Sequence, residues 1–88
     1  MYNYNDLKNK VILITGAAGL LGSEFSISLL HQNAIVIGVD NNSSGLKKLK
    51  NKISKIFVKP KFYIFKCNLT KEKDTKNLIK KIVSKYKK

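Results

Sequence analysis

Three glycines, Gly16, Gly19 and Gly22, follow the apolar run 11–14 at even spacing and precede an apolar, helix-like segment. The first suits a tight turn, the second lets a phosphate approach the backbone, and the third allows close helix packing. A helix that starts here would point its free N–H groups at an anion. The pattern predicts a cradle for the pyrophosphate of a dinucleotide. We place five residues in this phosphate loop: Gly16, Ala18, Gly19, Leu21 and Gly22.

An acidic residue ends the second apolar run of the chain. Asp40 follows residues 35–39 and lies eighteen positions after Gly22. A carboxylate at this distance from a glycine loop is typical of a group that accepts hydrogen bonds from the ribose hydroxyls of NAD. Asn41 and Asn42 are candidates to form hydrogen bonds with the ribose or with an edge of the adenine. The alternative explanation of Asp40 is that it only caps the loop.

A third polar position, Asn68, follows the apolar run 62–65. Its amide is expected to accept from the adenine amino group, while the Leu69 backbone N–H donates; the alternative is a simple turn residue. We expect NAD rather than NADP, because a carboxylate at position 40 repels a 2′-phosphate and no arginine follows it. Lys47 and Lys48 are the nearby cations that would favour NADP instead.

Helical and strand periodicities alternate along the chain. Strands are predicted at 11–14, 35–39 and 62–65, and helices at 20–32, up to 56, and from a Thr70 cap to Tyr86. The first strand is apolar on both faces, and the first helix is expected to bury Leu21, Phe25, Leu29 and Leu30. This order predicts an α/β, Rossmann-like three-layer fold with a partial parallel sheet of strand order 3-2-1. We expect residues 1–88 to form a single partial domain with a polar lead-in at 1–10.

Composition excludes several classes of protein. The net charge is +13, but all 18 basic residues are lysine, and nucleic-acid recognition favours arginine, so we expect no nucleic-acid partner. No apolar stretch predicts a membrane span or a secretory signal, which favours a cytoplasmic location. The single cysteine, Cys67, is expected in the core, and the single histidine, His31, on the surface. No spacing of side chains predicts a metal site.

The segments LKNKVILITGAAGLLG, VIGVD and FKCNLT resemble the N-terminal part of the short-chain dehydrogenase/reductase superfamily. The resemblance implies a Rossmann fold, a nicotinamide cofactor and oxidoreductase ancestry. It places the glycine loop at the phosphates, Asp40 at the ribose, and Asn68 and Leu69 at the adenine. The family usually has aspartate where Asn68 stands, and asparagine keeps an acceptor oxygen there.

Two subfamilies share features with the chain. The Gly-x-x-Gly-x-x-Gly spacing and residues 40–45 resemble extended NAD-dependent sugar-nucleotide epimerases and dehydratases, while the lead-in and the last helix resemble the shorter dehydrogenases, which we favour. The catalytic Ser, Tyr and Lys that the resemblance implies have no counterpart in these 88 residues. We therefore expect a truncated frame without hydride transfer. The other alternative is a non-catalytic nucleotide- or partner-binding module, with the exposed first strand available for pairing or self-association.

Overall fold

The computed structural model describes residues 7–85, which form three strands and three helices in alternation. The order β-α-β-α-β-α is the predicted one. Tyr86, the predicted end of the last helix, lies outside the described residues, as does the lead-in up to residue 6. The elements are β1 (Val11–Thr15), α1 (Leu20–His31), β2 (Ile35–Asp40), α2 (Ser43–Ile56), β3 (Phe62–Lys66) and α3 (Glu72–Lys85).

The strands form a parallel sheet in which β2 lies between β1 and β3. This β1-β2-β3 order is compatible with the predicted order 3-2-1. Leu13 of β1 aligns with Ile37 of β2, which aligns with Tyr63 of β3. Ile37 is fully buried, whereas Leu13 is 45% exposed. Within the described part of the chain, β2 is therefore the central strand and β1 lies at an edge, although β1 is apolar on both faces.

Helices cover both faces of the sheet, as expected for three layers. On one face, side chains of α1 and α2 pack with Val36 and Phe62 in a cluster that includes Leu30, Leu46, Leu49 and Ile53. On the other face, Leu78 and Ile82 of α3 pack with Ile37, Val39 and Cys67. Because side chains of β2 alternate between the faces, this strand contributes to both cores.

The buried side of α1 differs from the prediction. Leu30 is buried as predicted, but Leu21 and Phe25 are 66% and 57% exposed, whereas Ser26 is fully buried. The Ser26 hydroxyl donates to the Gly22 carbonyl oxygen at 2.8 Å, which satisfies this buried polar group. Because Ser26 is small and Gly22 has no side chain, the helix backbone can approach its neighbours on this side, and the large side chains of Leu21 and Phe25 lie on the outer side.

Two helix ends differ from their predicted positions. α1 ends at His31, one residue before the predicted end, and Asn33 adopts a left-handed conformation with φ of 63°. The predicted Thr70 cap is wrong, since α3 begins at Glu72 and the Thr70 hydroxyl donates to Asn68 Oδ1 at 2.6 Å. None of the helices in residues 7–85 has the length and apolar character that crossing a membrane requires.

Candidate functional site

The glycine loop between β1 and α1 is built from close backbone contacts. Gly16 has a φ of 65°, which side-chain-bearing residues rarely adopt, and its carbonyl accepts from the Gly19 N–H at 3.0 Å. A Cβ on Gly22 would lie 2.3 Å from the Gly16 carbonyl oxygen. Gly22 therefore lets the first turn of α1 pack closely against the end of the loop that follows β1.

The N-terminus of α1 lacks the side-chain caps that helices commonly carry. Gly19 is the N-cap residue, no side chain bonds to the free N–H groups, and the first turn contains no acidic residue. Such a terminus presents N–H donors and a partial positive charge to an anion. The geometry suits a phosphate group.

Asp40 connects the glycine loop to the start of α2. Its Oδ2 accepts from the Ala18 N–H at 3.0 Å, and its Oδ1 accepts from the Asn42 N–H at 3.0 Å. Each carboxylate oxygen retains a second lone pair, so the group can accept further hydrogen bonds. The side chain is half-buried at the carboxyl end of the central strand. The sequence predicts that Asp40 lies near the loop, but it does not predict that the carboxylate binds these two backbone N–H groups.

The start of α2 packs directly on the phosphate loop. Asn42 is the N-cap residue, and its Oδ1 accepts from the Gly45 N–H at 3.0 Å and from Ser44 Oγ at 2.9 Å. A Cβ on Gly45 would lie 2.8 Å from Ala18 Cβ. Sequence reasoning missed Gly45, because a glycine that follows Asn and Ser residues suits a loop equally well. In the structure it lies in the first turn of α2, where glycine is unfavourable unless something approaches closely. Asn42 is committed to capping, so its amide oxygen is not free for a ribose.

A cleft of about 260 Å³ lies where the carboxyl ends of β2 and β3 meet α3, and it brings Asn41 and Asn68 together. Asp74 and Asn77 of α3 also line it. The Asn68 amide oxygen already accepts from the backbone N–H and the hydroxyl of Thr70, as in an Asx-turn. Leu69, next to Asn68, is 44% exposed. The amide oxygen of Asn68 is therefore used in a turn, as the alternative explanation predicts, while the residue itself still lines the cleft.

Other reactive side chains have structural surroundings. Cys67 is buried in the core beneath α3, and His31 is an exposed residue whose ring lies 4.7 Å from that of Phe57, as the sequence predicts for both. Among residues 7–85, no group of three His, Cys, Asp or Glu side chains could hold a metal ion. The chemistry of the described residues is therefore concentrated at the carboxyl edge of the sheet.

A parallel sheet with a glycine loop, an open helix N-terminus and an acid at the end of the next strand defines a Rossmann-type dinucleotide-binding domain. The family model for short chain dehydrogenase matches residues 10–88 of this chain. The chain belongs to the short-chain dehydrogenase family, whose fold is an NAD(P)-binding one.

Solved structures support this assignment. A short chain dehydrogenase from Mycobacterium smegmatis is 27% identical, with a TM-score of 0.81 over 92% of this chain and 34% of its own. A short chain dehydrogenase from Shigella flexneri complexed with NADP is 26% identical, with a TM-score of 0.80 over 93% and 35%. A protein described as a D-mannonate oxidoreductase from Haemophilus influenza, with bound NAD, is 28% identical, with a TM-score of 0.78 over 91% and 28%.

This chain therefore spans about a third of the length of the structures it matches. The two described with cofactors hold different ones, NAD and NADP, so the likeness supports a dinucleotide without deciding between them. The family model favours the shorter dehydrogenases over the two alternatives, the sugar-nucleotide enzymes and the non-catalytic module.

Proposed function

We propose that this chain is the cofactor-binding part of a short-chain dehydrogenase and that it binds NAD. The observation that carries the proposal is the Asp40 carboxylate, held by the Ala18 and Asn42 N–H groups beside the uncapped N-terminus of α1. An acceptor for ribose hydroxyls at the end of β2 thus lies next to a set of N–H donors for phosphate at the start of α1. The nicotinamide, when bound, supplies hydride transfer; the residues described here bind and orient the dinucleotide.

The proposed contacts follow from the geometry of each group. The N-terminus of α1, with Gly16, Gly19 and Gly22 around it, would hold the pyrophosphate. Asp40 would accept from the ribose hydroxyls through its remaining lone pairs. Adenine would enter the cleft lined by Asn41 and Asn68. Leu21, which is exposed at the start of α1, and Leu69, which follows Asn68 and is 44% exposed, complete the proposed set.

Preference for NAD over NADP is proposed on electrostatic grounds. A 2′-phosphate would place negative charge beside the Asp40 carboxylate, whose oxygens are already fixed by two backbone bonds. Like charges at this range repel, and the chain has no arginine to offset them. Lys47 and Lys48 on α2 are both exposed, which weakens their attraction for an anion through screening.

Calorimetry with NAD, NADP and AMP tests this proposal, with Asp40→Asn as the informative variant. The amide keeps the shape of the carboxylate but loses its charge and one acceptor oxygen. We expect the dissociation constant for NAD to rise about tenfold, as for the loss of a charge-assisted hydrogen bond. In the same variant, the ratio of the dissociation constant for NADP to that for NAD should decrease.

Glu24→Gln is the matched control, because Glu24 is an exposed acid on α1 without a role in the proposed site. It removes the same charge and should leave the affinity for NAD unchanged. If no dinucleotide and no AMP binds the folded chain, the proposal is wrong. An unchanged affinity for NAD in Asp40→Asn would remove Asp40 from the site.

A further inference from the structure

The hydrogen bonds of Asn68 leave its side chain able to donate but not to accept. Asn68 lines the cleft of about 260 Å³ where β2 and β3 meet α3. Its amide oxygen accepts from the Thr70 N–H at 3.0 Å and from the Thr70 hydroxyl at 2.6 Å, which occupies both lone pairs of that oxygen. Within residues 7–85, the side-chain NH2 group of Asn68 has no acceptor. A base in the cleft would therefore meet N–H donors at this position.

Adenine requires the opposite chemistry beside its C6 amino group. That group carries two N–H bonds, and a polar group that leaves water needs a partner. An aspartate at position 68 would keep one carboxylate oxygen free for it after the other had bonded to Thr70. The asparagine of this chain has no second oxygen. If adenine occupies the cleft, another residue must accept from its amino group.

One carboxylate, that of Asp74, lines the same cleft. Asp74 lies in the first turn of α3. Asn77, Leu78 and Lys81 follow it by three, four and seven residues, so they share one face of the helix, and all three line the cleft. Leu78 is buried in the core with Cys67, which holds this face of α3 against the end of β3. Among the described residues, the Asp74 carboxylate has neither a hydrogen-bond donor nor an ion-pair partner.

The other side chains of the cleft are weaker acceptors. Lys66 and Lys81 carry donors only. Asn41 and Asn77 carry neutral amide oxygens. A hydrogen bond to an ionised acceptor is roughly twice as strong as one between neutral groups. Asp74 is therefore the side chain best suited to hold an amino group in this cleft.

We propose that Asp74 selects adenine as the base of the dinucleotide by accepting a hydrogen bond from its C6 amino group, while the Asn68 side-chain NH2 group donates to the adjacent ring nitrogen N1. The cleft then offers an acceptor and a donor, the complement of this edge of adenine. Hypoxanthine has the reverse pattern, a carbonyl oxygen at C6 and an N–H at position 1, so its oxygen would face the carboxylate. This inference rests on the proposed cofactor site and names the residue that determines its specificity for the base.

Calorimetry of the 88-residue chain with NAD and with nicotinamide hypoxanthine dinucleotide tests the proposal, because the two compounds differ only at C6 and N1 of the base. The unaltered chain should bind NAD about tenfold more tightly. In Asp74→Asn, the new amide can accept from adenine or donate to hypoxanthine, so the ratio of the two dissociation constants should fall to about two or less. The dissociation constant for NAD itself should rise about fivefold.

Glu72→Gln is the matched control. Glu72 lies in the same turn of α3, so the variant removes the same charge from the same end of the helix. Its carboxylate pairs with Lys76 at 3.0 Å and does not line the cleft. The ratio of dissociation constants should stay that of the unaltered chain. An equal fall in Glu72→Gln and Asp74→Asn would assign the effect to charge alone and overturn the proposal.

A rescue variant tests whether both positions face the base. Asn68→Asp, added to Asp74→Asn, supplies the free carboxylate oxygen that Asn68 lacks and should restore a ratio of about ten. Failure to restore it contradicts the proposed placement of adenine between the two residues. An Asp74→Asn chain that binds NAD and still discriminates tenfold overturns the role of Asp74 but leaves the cofactor site intact. If the unaltered, folded chain binds neither dinucleotide, the proposed function and this inference are both wrong.

Discussion

Gly22→Ala is the substitution for which the structure predicts the clearest loss of stability. The new Cβ would lie 2.3 Å from the Gly16 carbonyl oxygen and 2.9 Å from Ala17 Cα. Both neighbours are backbone atoms of a tight turn, so no side chain can rotate away. Either the phosphate loop or the start of α1 must move by a large fraction of an ångström.

The magnitude follows from two opposing effects. Inserting a methyl group into a packed region costs about 1–3 kcal/mol, and we expect the upper end because backbone must shift. Alanine in place of glycine inside a helix returns about 1 kcal/mol. The free energy of unfolding should therefore fall by about 2 kcal/mol, a reduction of up to about thirtyfold in the ratio of folded to unfolded chain.

Urea unfolding followed by far-ultraviolet circular dichroism measures this change. Gly19→Ala is the matched control, because its Cβ would lie 3.3 Å from the same Gly16 oxygen and Gly19 has a φ of −77°. We expect that variant to lose less than about 1 kcal/mol, since a few tenths of an ångström relieve the contact. If Gly22→Ala and Gly19→Ala have the same free energy of unfolding, the close backbone contact at Gly22 does not limit which residue the loop tolerates there.

Two further predictions concern the supports of the site and can be measured by the same urea unfolding. Asn42→Ala removes the N-cap of α2 and should cost about 1 kcal/mol, whereas Asn42→Asp should retain most of it; equal losses in the two would exclude capping as the cause. Ile37→Ala, at a fully buried position of β2, should cost about 3 kcal/mol. Ile79→Ala, at a half-exposed position of α3, is its control and should cost much less, and a similar cost at both positions would contradict the assignment of the core.

Asp40 illustrates how much of the site can be predicted from sequence. Its place at the end of an apolar run, at a characteristic distance from three glycines, predicts that it reaches the carboxyl edge of the sheet. Its two backbone partners, the N–H groups of Ala18 and Asn42, depend on how closely α2 approaches the loop. That close approach requires Gly45, because a Cβ at this position would collide with Ala18 Cβ, and only the structure shows that these two residues are in contact.

Asn68 shows the limit of a prediction from residue type. The sequence allowed either an adenine contact or a turn, because an asparagine at the end of a strand suits both. In the structure its amide oxygen accepts twice from Thr70, while the residue itself lines the cleft with Asn41. Local hydrogen bonds two residues along the chain are short-range and readily formed, so they determine the rotamer.

The sequence by itself determined the order of strands and helices, the glycine loop and the position of Asp40, because periodicity and turn chemistry act over a few residues. Only the tertiary structure decided which surfaces are buried. α1 buries Ser26 and exposes Phe25, and β1 leaves Leu13 exposed while β2 is enclosed. The reason is that burial depends on which elements approach and how closely. Small residues such as Gly22 and Ser26 allow that approach, whereas the size and apolarity of a side chain indicate only what could be buried.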